Sequence, residues 1–223
     1  MEKYGTIPKK FTKAWWEYVW DYYKFHIAAV LFVLFFIGSI VHTNLNRKYY
    51  DMYITYIGKK SVDLYTEDVF RELFIPVLEE TNGDGKIDIA YNVYNVENPT
   101  YDNLLTEEEY ATESRIMVDL EAGDSFFYIL SRANAENLYE QSNCFEPVWV
   151  YKPDALEEDV IMSKEDYPFA LSLAGNQKLI QKGIDPSNLY LAVKKVYPRE
   201  QDDERKIKIH QNSINAAKLL LEQ

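Results

Sequence analysis

Oxygen-bearing side chains at Glu80, Asn82, Asp84 and Asp88, with Gly85 between them and Lys86 offering its carbonyl, have the spacing of a calcium-binding loop. Alternate residues can turn their oxygens to one side of a tight bend, and a glycine at the sixth position permits that bend. The pattern therefore has the chemistry to gather a hard divalent cation. Two positions depart from it. Glu80 stands where Asp is usual at the start, and Tyr91 stands where a bidentate carboxylate would close the shell with two oxygens. The same residues also spell a plain connection: a helix ending at Glu80, left-handed turns at Asn82-Gly83 and Asp84-Gly85, then a strand. A weak calcium site of the extracellular class and a simple turn are both open.

Other chemistries find less support. The histidines are His26, His42 and His210; the first two bracket an apolar run and the third lies on an apolar helical stripe, so no pair has metal-ligand spacing. A Ser/His/Asp or Cys/His mechanism would have to recruit His210, and nothing in the sequence places a nucleophile beside it. Carboxylate pairs such as Asp202-Asp203 and Glu157-Glu158 fall in polar runs and read as solvated surface. Without a phosphate loop or a Gly-rich fingerprint either, the chain is read as a non-enzyme with no cofactor beyond the calcium just described.

These residues must be positioned by the rest of the chain, which divides sharply. Phe25 to Asn46 are 22 residues without Asp, Glu, Lys or Arg, and about 20 apolar residues span a bilayer as a helix. Residues 1–24 form a basic arm with Lys3, Lys9, Lys10, Lys13 and Lys24, residues 25–46 a transmembrane helix, and residues 50–223 a folded domain. The basic side stays inside, so the N-terminus is expected in the cytoplasm and the large domain outside it, an arrangement known as a signal-anchor. A cleaved secretory signal is the rival, although its apolar region would be long, its basic region is rich in Trp and Tyr, and no small-x-small cleavage site follows Ile40. No Cys lies near the span to carry a lipoprotein anchor.

In the arm, Phe11, Ala14, Trp15, Tyr18, Val19, Tyr22 and Phe25 recur at helical spacing, with Trp16 beside them, as an amphipathic segment of the membrane interface would. Such a face is either an aromatic belt or a docking surface for a second membrane protein. Gly38-Ser39 within the span is a single small pair, short of a full small-xxx-small repeat. The first 50 residues hold seven Lys or Arg and three Asp or Glu, so of the formal -12 the other 173 residues carry -16. That balance repels nucleic acid and anionic lipid and suits cations or a basic partner. Cys144 is the single cysteine, so the domain must be held by an ordinary core rather than an internal disulfide.

The domain alternates strand-like and helix-like segments. Strands are expected at Met52–Ile57, at Ile87–Val93 by alternation, at Phe126–Leu130 as a run buried on both faces, at Phe169–Leu173 and at Leu189–Val196. Helices are expected after a cap at Thr66, from the capping box Thr106 to Glu109 as far as Gly123, over Asn134–Gln141, and at the end with Ile207, His210, Ile214, Ala217 and Leu221 inward. This order predicts a compact layered α/β domain with a largely parallel sheet. Ligands of such sheets sit outside the carboxyl ends of the strands, which singles out Gly58-Lys59, Asn95, and Ser131-Arg132 at a helix N-terminus. Asp124 falls at the opposite, amino end of its strand and is expected to tie the loop after Gly123.

These motifs carry two resemblances. The loop Glu80–Asp88 resembles those of EF-hand and dockerin modules. The passage Leu120-Glu-Ala-Gly-Asp-Ser-Phe-Phe-Tyr-Ile-Leu130, the helix after it, and Cys144-Phe-Glu-Pro-Val148 resemble type 2 periplasmic-binding-protein-like domains. Tyr167 to Asn176, Asp185 to Leu191 and the closing helix resemble the C-terminal part of such domains in small membrane-anchored proteins of Gram-positive, Clostridia-type bacteria. The resemblance implies a reduced binding-protein-like domain, because 173 residues fall well short of a two-lobed solute receptor. It implies either a non-catalytic interaction module, an accessory subunit of a membrane transport or sensing complex, or a tethered receptor for a small solute or cation.

Overall fold

In the computed structural model, residues 8–45, 48–59, 64–96 and 107–222 are described. The chain forms two units, divided between Tyr49 and Tyr50.

The first unit is one helix, α1 (Lys13–Leu45), of 33 residues. Thr12 caps it: its hydroxyl accepts from Trp15 N at 3.3 Å, after Phe11 turns the chain with φ 62°. No Pro or Gly interrupts it before Gly38, so it runs unbroken across the expected boundary at Lys24. At 1.5 Å per residue it is about 50 Å long, against about 30 Å for a bilayer core, which leaves room for the aromatic segment in the same rod. The aromatic rings do not keep to one stripe. Trp15 packs on Phe11 and Tyr18 on Tyr22, while Trp16, Trp20 and Tyr23 stand exposed elsewhere around the helix. They form a collar. The apolar side chains from Val30 to Ile37 are all exposed within the protein, as on a membrane anchor or a signal sequence.

The second unit is a mixed α/β domain built on one six-stranded sheet in the order β2-β1-β3-β6-β5-β4. Its strands are β1 (Met52–Gly58), β2 (Ile89–Asn95), β3 (Phe127–Ser131), β4 (Val160–Met162), β5 (Pro168–Ser172) and β6 (Leu189–Val193). Its helices are α2 (Leu64–Phe74), α3 (Glu107–Ala122), α4 (Arg132–Asn137), α5 (Gln177–Gln181) and α6 (Glu204–Leu221). Side-chain alternation along the central strands sends two cores to opposite faces. Ile54, Tyr56, Phe127 and Ile129 meet Phe70 and Phe74 of α2, Leu179 of α5 and Ala217 and Leu220 of α6. Ile57, Tyr128 and Leu130 meet Ile116 and Leu120 of α3 and Ala135 of α4. All five residues of β3 are buried, as its continuous apolar run requires.

The expectation of a largely parallel sheet is corrected. β1 pairs in parallel with β2 and β3, but β6 is antiparallel to both β3 and β5, and β5 is antiparallel to β4. The strand β4 carries no sequence signal: it has three residues, none buried, and a register shift at Ile161/Met162. Thr66 does not cap α2, which begins two residues earlier, and Pro76 ends that helical stretch well before Glu80. The helix expected at Asn134 starts at Arg132, capped by Ser131, and relaxes to a 3₁₀ turn from Leu138. On α6 the buried residues are Ile209, Asn212, Ser213, Ile214, Ala216, Ala217 and Leu220: Ile214 and Ala217 face inward as expected, His210 and Leu221 are half-buried, and Ile207 is exposed, because two polar residues hide the full period. Thr106, the expected cap of α3, lies outside the described residues. Gly123 does end that helix; a Cβ there would lie 2.6 Å from the Asp119 carbonyl.

Candidate functional site

The carboxyl edge of the parallel strands is where the sheet order reverses, with β2 on one side of β1 and β3 on the other. The structure brings Lys59, Asn95, Ser131 and Arg132 to this edge, at the ends of β1, β2 and β3. Two of them, Ser131 and Arg132, are engaged within their own helix turn. Ser131 is buried, and its hydroxyl accepts from Asn134 N at 3.4 Å and from Asn134 Nδ2 at 2.9 Å. The helix N-terminus expected to seat an anion is thus occupied by its own cap, and α4 has only six residues. Arg132 Nε lies 2.9 Å from Glu136 Oε1 on the same helix and is exposed; Lys59 and Asn95 also face solvent. A residue that sequence reasoning passes over, Asn134, also lies at this edge. Its buried amide donates to Val96 O at 2.8 Å and Ile57 O at 3.3 Å, joining the ends of β2 and β1. Gly58 matters here too, since the Tyr56 hydroxyl folds back over it to donate to Lys59 O at 3.1 Å.

In the acidic turn, Glu80 Oε1 accepts from the amides of Asn82 and Asp84 at 3.0 Å each and from that of Gly83. Asn82 Oδ1 accepts from Asp84 N at 2.9 Å, Asp84 Oδ1 accepts from Lys86 N at 2.8 Å, and Gly83 and Gly85 have φ 81° and 74°. Amide protons converge on the Glu80 carboxylate in this loop. Among the described residues no group of three or more His, Cys, Asp or Glu could hold a metal ion. Glu80, Asn82, Asp84, Lys86 and Asp88 thus lie in one turn, and the side-chain oxygens of Glu80, Asn82 and Asp84 accept from its own amides. Adding millimolar calcium, or removing it with chelator, is expected to leave the melting temperature nearly unchanged. A stabilisation above about 3 kcal/mol at 1 mM, read by thermal denaturation, would show tight binding instead.

The turn is fastened from below by Asp51, whose side chain is wholly buried. Asp51 Oδ1 accepts from Thr81 N at 2.6 Å and Thr81 Oγ1 at 2.9 Å, and Oδ2 accepts from Asp88 N at 2.8 Å. Asn212 of α6 donates to Asp51 O at 3.0 Å and Glu79 O at 2.8 Å and accepts from Glu79 N at 2.8 Å. An acidic residue opening an apolar strand is the available sequence signal for this staple.

A second buried polar cluster lies at the end of α3. Lys194 is fully buried, donates to Gly123 O at 2.8 Å and Asp119 O at 3.4 Å, and sits 4.8 Å from the centre of the Phe126 ring. Its ammonium covers the carbonyl end of the helix, where positive charge is favoured, yet burial brings its amine down to about 8. Burial pushes the nearby Cys144 thiol up to about 11, which keeps it protonated and unreactive. Asp124, expected to tie the loop after Gly123, pairs with α6 instead: it binds Arg205 at 3.3 Å and lies 3.6 Å from Lys206, at the start of that helix. His210 Nε2 lies 3.2 Å from Glu146 Oε1, and its ring stands edge-on to Phe126.

A groove of about 600 Å³ opens elsewhere, where Leu171, Ser172 and Leu173 at the end of β5 meet Asn176, Lys178 and Leu220. None of the residues singled out in the sequence as ligands lines it. Comparison of the chain with protein-family models, curated proteins and solved structures found no match.

Proposed function

We propose that the chain is a single-span protein of the cell membrane whose domain, residues 50–223, is a non-catalytic interaction module outside the cytoplasm. It serves as an accessory subunit of a membrane transport or sensing complex. The observation that carries this reading is Asn134: at the edge where sheets of this kind bind ligands, its side chain is spent on knitting the strand ends together. A reduced binding-protein-like lobe is the form we assign to it, on the ground that the described strands make one sheet. Lipid is the natural environment for the exposed apolar surface of α1, and the acidic domain favours a basic protein partner over nucleic acid.

A second reading, a tethered receptor for a small solute or cation, is favoured by the groove beside β5, whose volume falls in the range of small-molecule sites.

Co-purification from membranes in mild detergent tests the first reading. A second membrane protein is expected in a fixed ratio to this chain; recovery of the chain alone in every mild detergent would contradict it. Trp15→Ala with Val19→Ala is expected to leave insertion intact, because the span carries the insertion energy. Loss of the partner from that variant would place the contact on the aromatic collar, and its retention would place the contact on the domain.

A further inference from the structure

Fourteen residues, Trp149 to Met162, carry four large apolar side chains into solvent: Trp149 is 51% exposed, Val150 39%, Leu156 58% and Met162 45%. Single exposed apolar residues are ordinary, whereas apolar side chains that adjoin one another mark an interaction surface. Trp149 is also held in place. Its ring meets that of Tyr167 edge-on at a centroid distance of 6.3 Å. Tyr167 is in turn fixed by donating to Ser142 O at 3.0 Å and Phe145 O at 3.2 Å, with Lys195 Nζ 4.7 Å from its ring centre. The backbone under Trp149 is a 3₁₀ turn whose next residue, Tyr151, is buried. An indole displayed on a rigid base loses little entropy on binding, which is why Trp so often anchors interfaces.

The charges around this segment specify the other side of the contact. From Trp149 to Asp166 there are six Asp or Glu and two Lys. Both lysines are engaged, Lys152 with Asp154 at 3.0 Å and Lys164 with Glu140. Glu157, Glu158, Asp159, Glu165 and Asp166 have no ion pair among the described residues. We propose that the Trp149–Met162 surface is a docking site for a protein segment that is positively charged and presents large apolar side chains between its cations. Exclusion of water by the apolar contacts would strengthen the charge pairs at the rim, and charge would steer the encounter. Lipid fits less well, because surfaces that settle on membranes surround their apolar residues with Lys and Arg.

This inference rests on the interaction-module reading and names the partner's chemistry. The test uses the full chain in phosphatidylcholine nanodiscs with Trp15, Trp16 and Trp20 changed to Phe, so that Trp149 is the sole indole among the chain's four Trp positions. The probes are acetyl-Lys-Leu-Lys-Phe-Lys-amide and its counterpart with Glu in place of each Lys. The cationic peptide is expected to shift Trp149 emission to the blue saturably and to bind at least about tenfold more tightly than the acidic one. Leu156→Ala with Met162→Ala is expected to weaken it about fivefold or more at unchanged melting temperature, and about 0.5 M salt to weaken it as well. Calorimetry of the natural chain with the same peptides checks that the Phe replacements have not altered the surface.

Equal response to both peptides, or no saturable response up to about 10 mM, would overturn the proposal. Emission already blue in the nanodisc and unmoved by peptide would assign the surface to lipid and overturn it too. Failure here with a partner still co-purifying would sink this surface alone. Absence of any co-purifying partner would strike the interaction module itself.

Discussion

Asp51→Ala is expected to cost the domain about 3–5 kcal/mol, among the largest losses available to a single substitution. The carboxylate is wholly buried and takes two backbone amides and one hydroxyl from the half-buried Thr81 and Asp88, so its removal leaves three donors without their acceptor. The damage would spread, because these bonds join the start of β1 to the turn before β2, and Asn212 joins both to α6. Asp51→Asn keeps an acceptor for one side but turns an amide donor toward another donor, and about 1–3 kcal/mol should be lost. Chemical denaturation at neutral pH measures both. A loss below about 1 kcal/mol for the alanine variant would mean that water replaces the carboxylate and that the staple does not hold the turn.

Lys194→Met should change the pH dependence of stability. The folded amine titrates near 8 and the unfolded one near 10.5. Below pH 8 both states hold the proton. Between the two values the unfolded chain binds more protons than the folded one, so this group makes the natural chain more stable as pH rises. The full interval corresponds to a gain of about 3 kcal/mol relative to the variant. The Cys144 thiol, raised to about 11 by burial, works the other way above pH 9, since the unfolded state releases its proton first. Tyr91, Tyr94, Tyr128 and Tyr151, all raised mainly by burial, do the same above pH 10. The tyrosine contributions cancel in the difference between natural chain and variant, but the Lys194 charge itself lowers the Cys144 thiol, so the difference is read from denaturation curves between pH 7.5 and about 9, below the range in which that thiol titrates. A difference that stays constant across that range would mean that Lys194 is solvated in the folded domain.

The parts of this fold that the sequence reveals are those where burial alone decides. Phe126 to Leu130 reads as a strand covered on both sides because no other placement satisfies five apolar residues in a row. Gly123 marks the end of α3 because a side chain there would strike the Asp119 carbonyl. Strand direction is a different matter. Alternating strands and helices suggest parallel crossovers, yet β5 and β6, joined through the five-residue α5 that the sequence does not announce, run antiparallel. Part of the inward face of α6 escapes the apolar period, which finds Ile214 and Ala217, because Asn212 and Ser213 are buried for their hydrogen bonds, which such a period does not register. At the carboxyl edge the sequence places the residues but not their roles: Ser131 caps a helix, and Asn134, unremarkable in the sequence, spans the strand ends.

Topology decides the account most directly, because an interaction module outside the cell requires residues 50–223 to lie beyond the membrane. Protease added to intact protoplasts that express the chain with an epitope at each end is expected to remove the C-terminal epitope and degrade the domain after Tyr50. The N-terminal epitope should survive on a membrane-bound fragment containing α1. Survival of the domain and its C-terminal epitope, under conditions that digest a known external protein, would contradict the account.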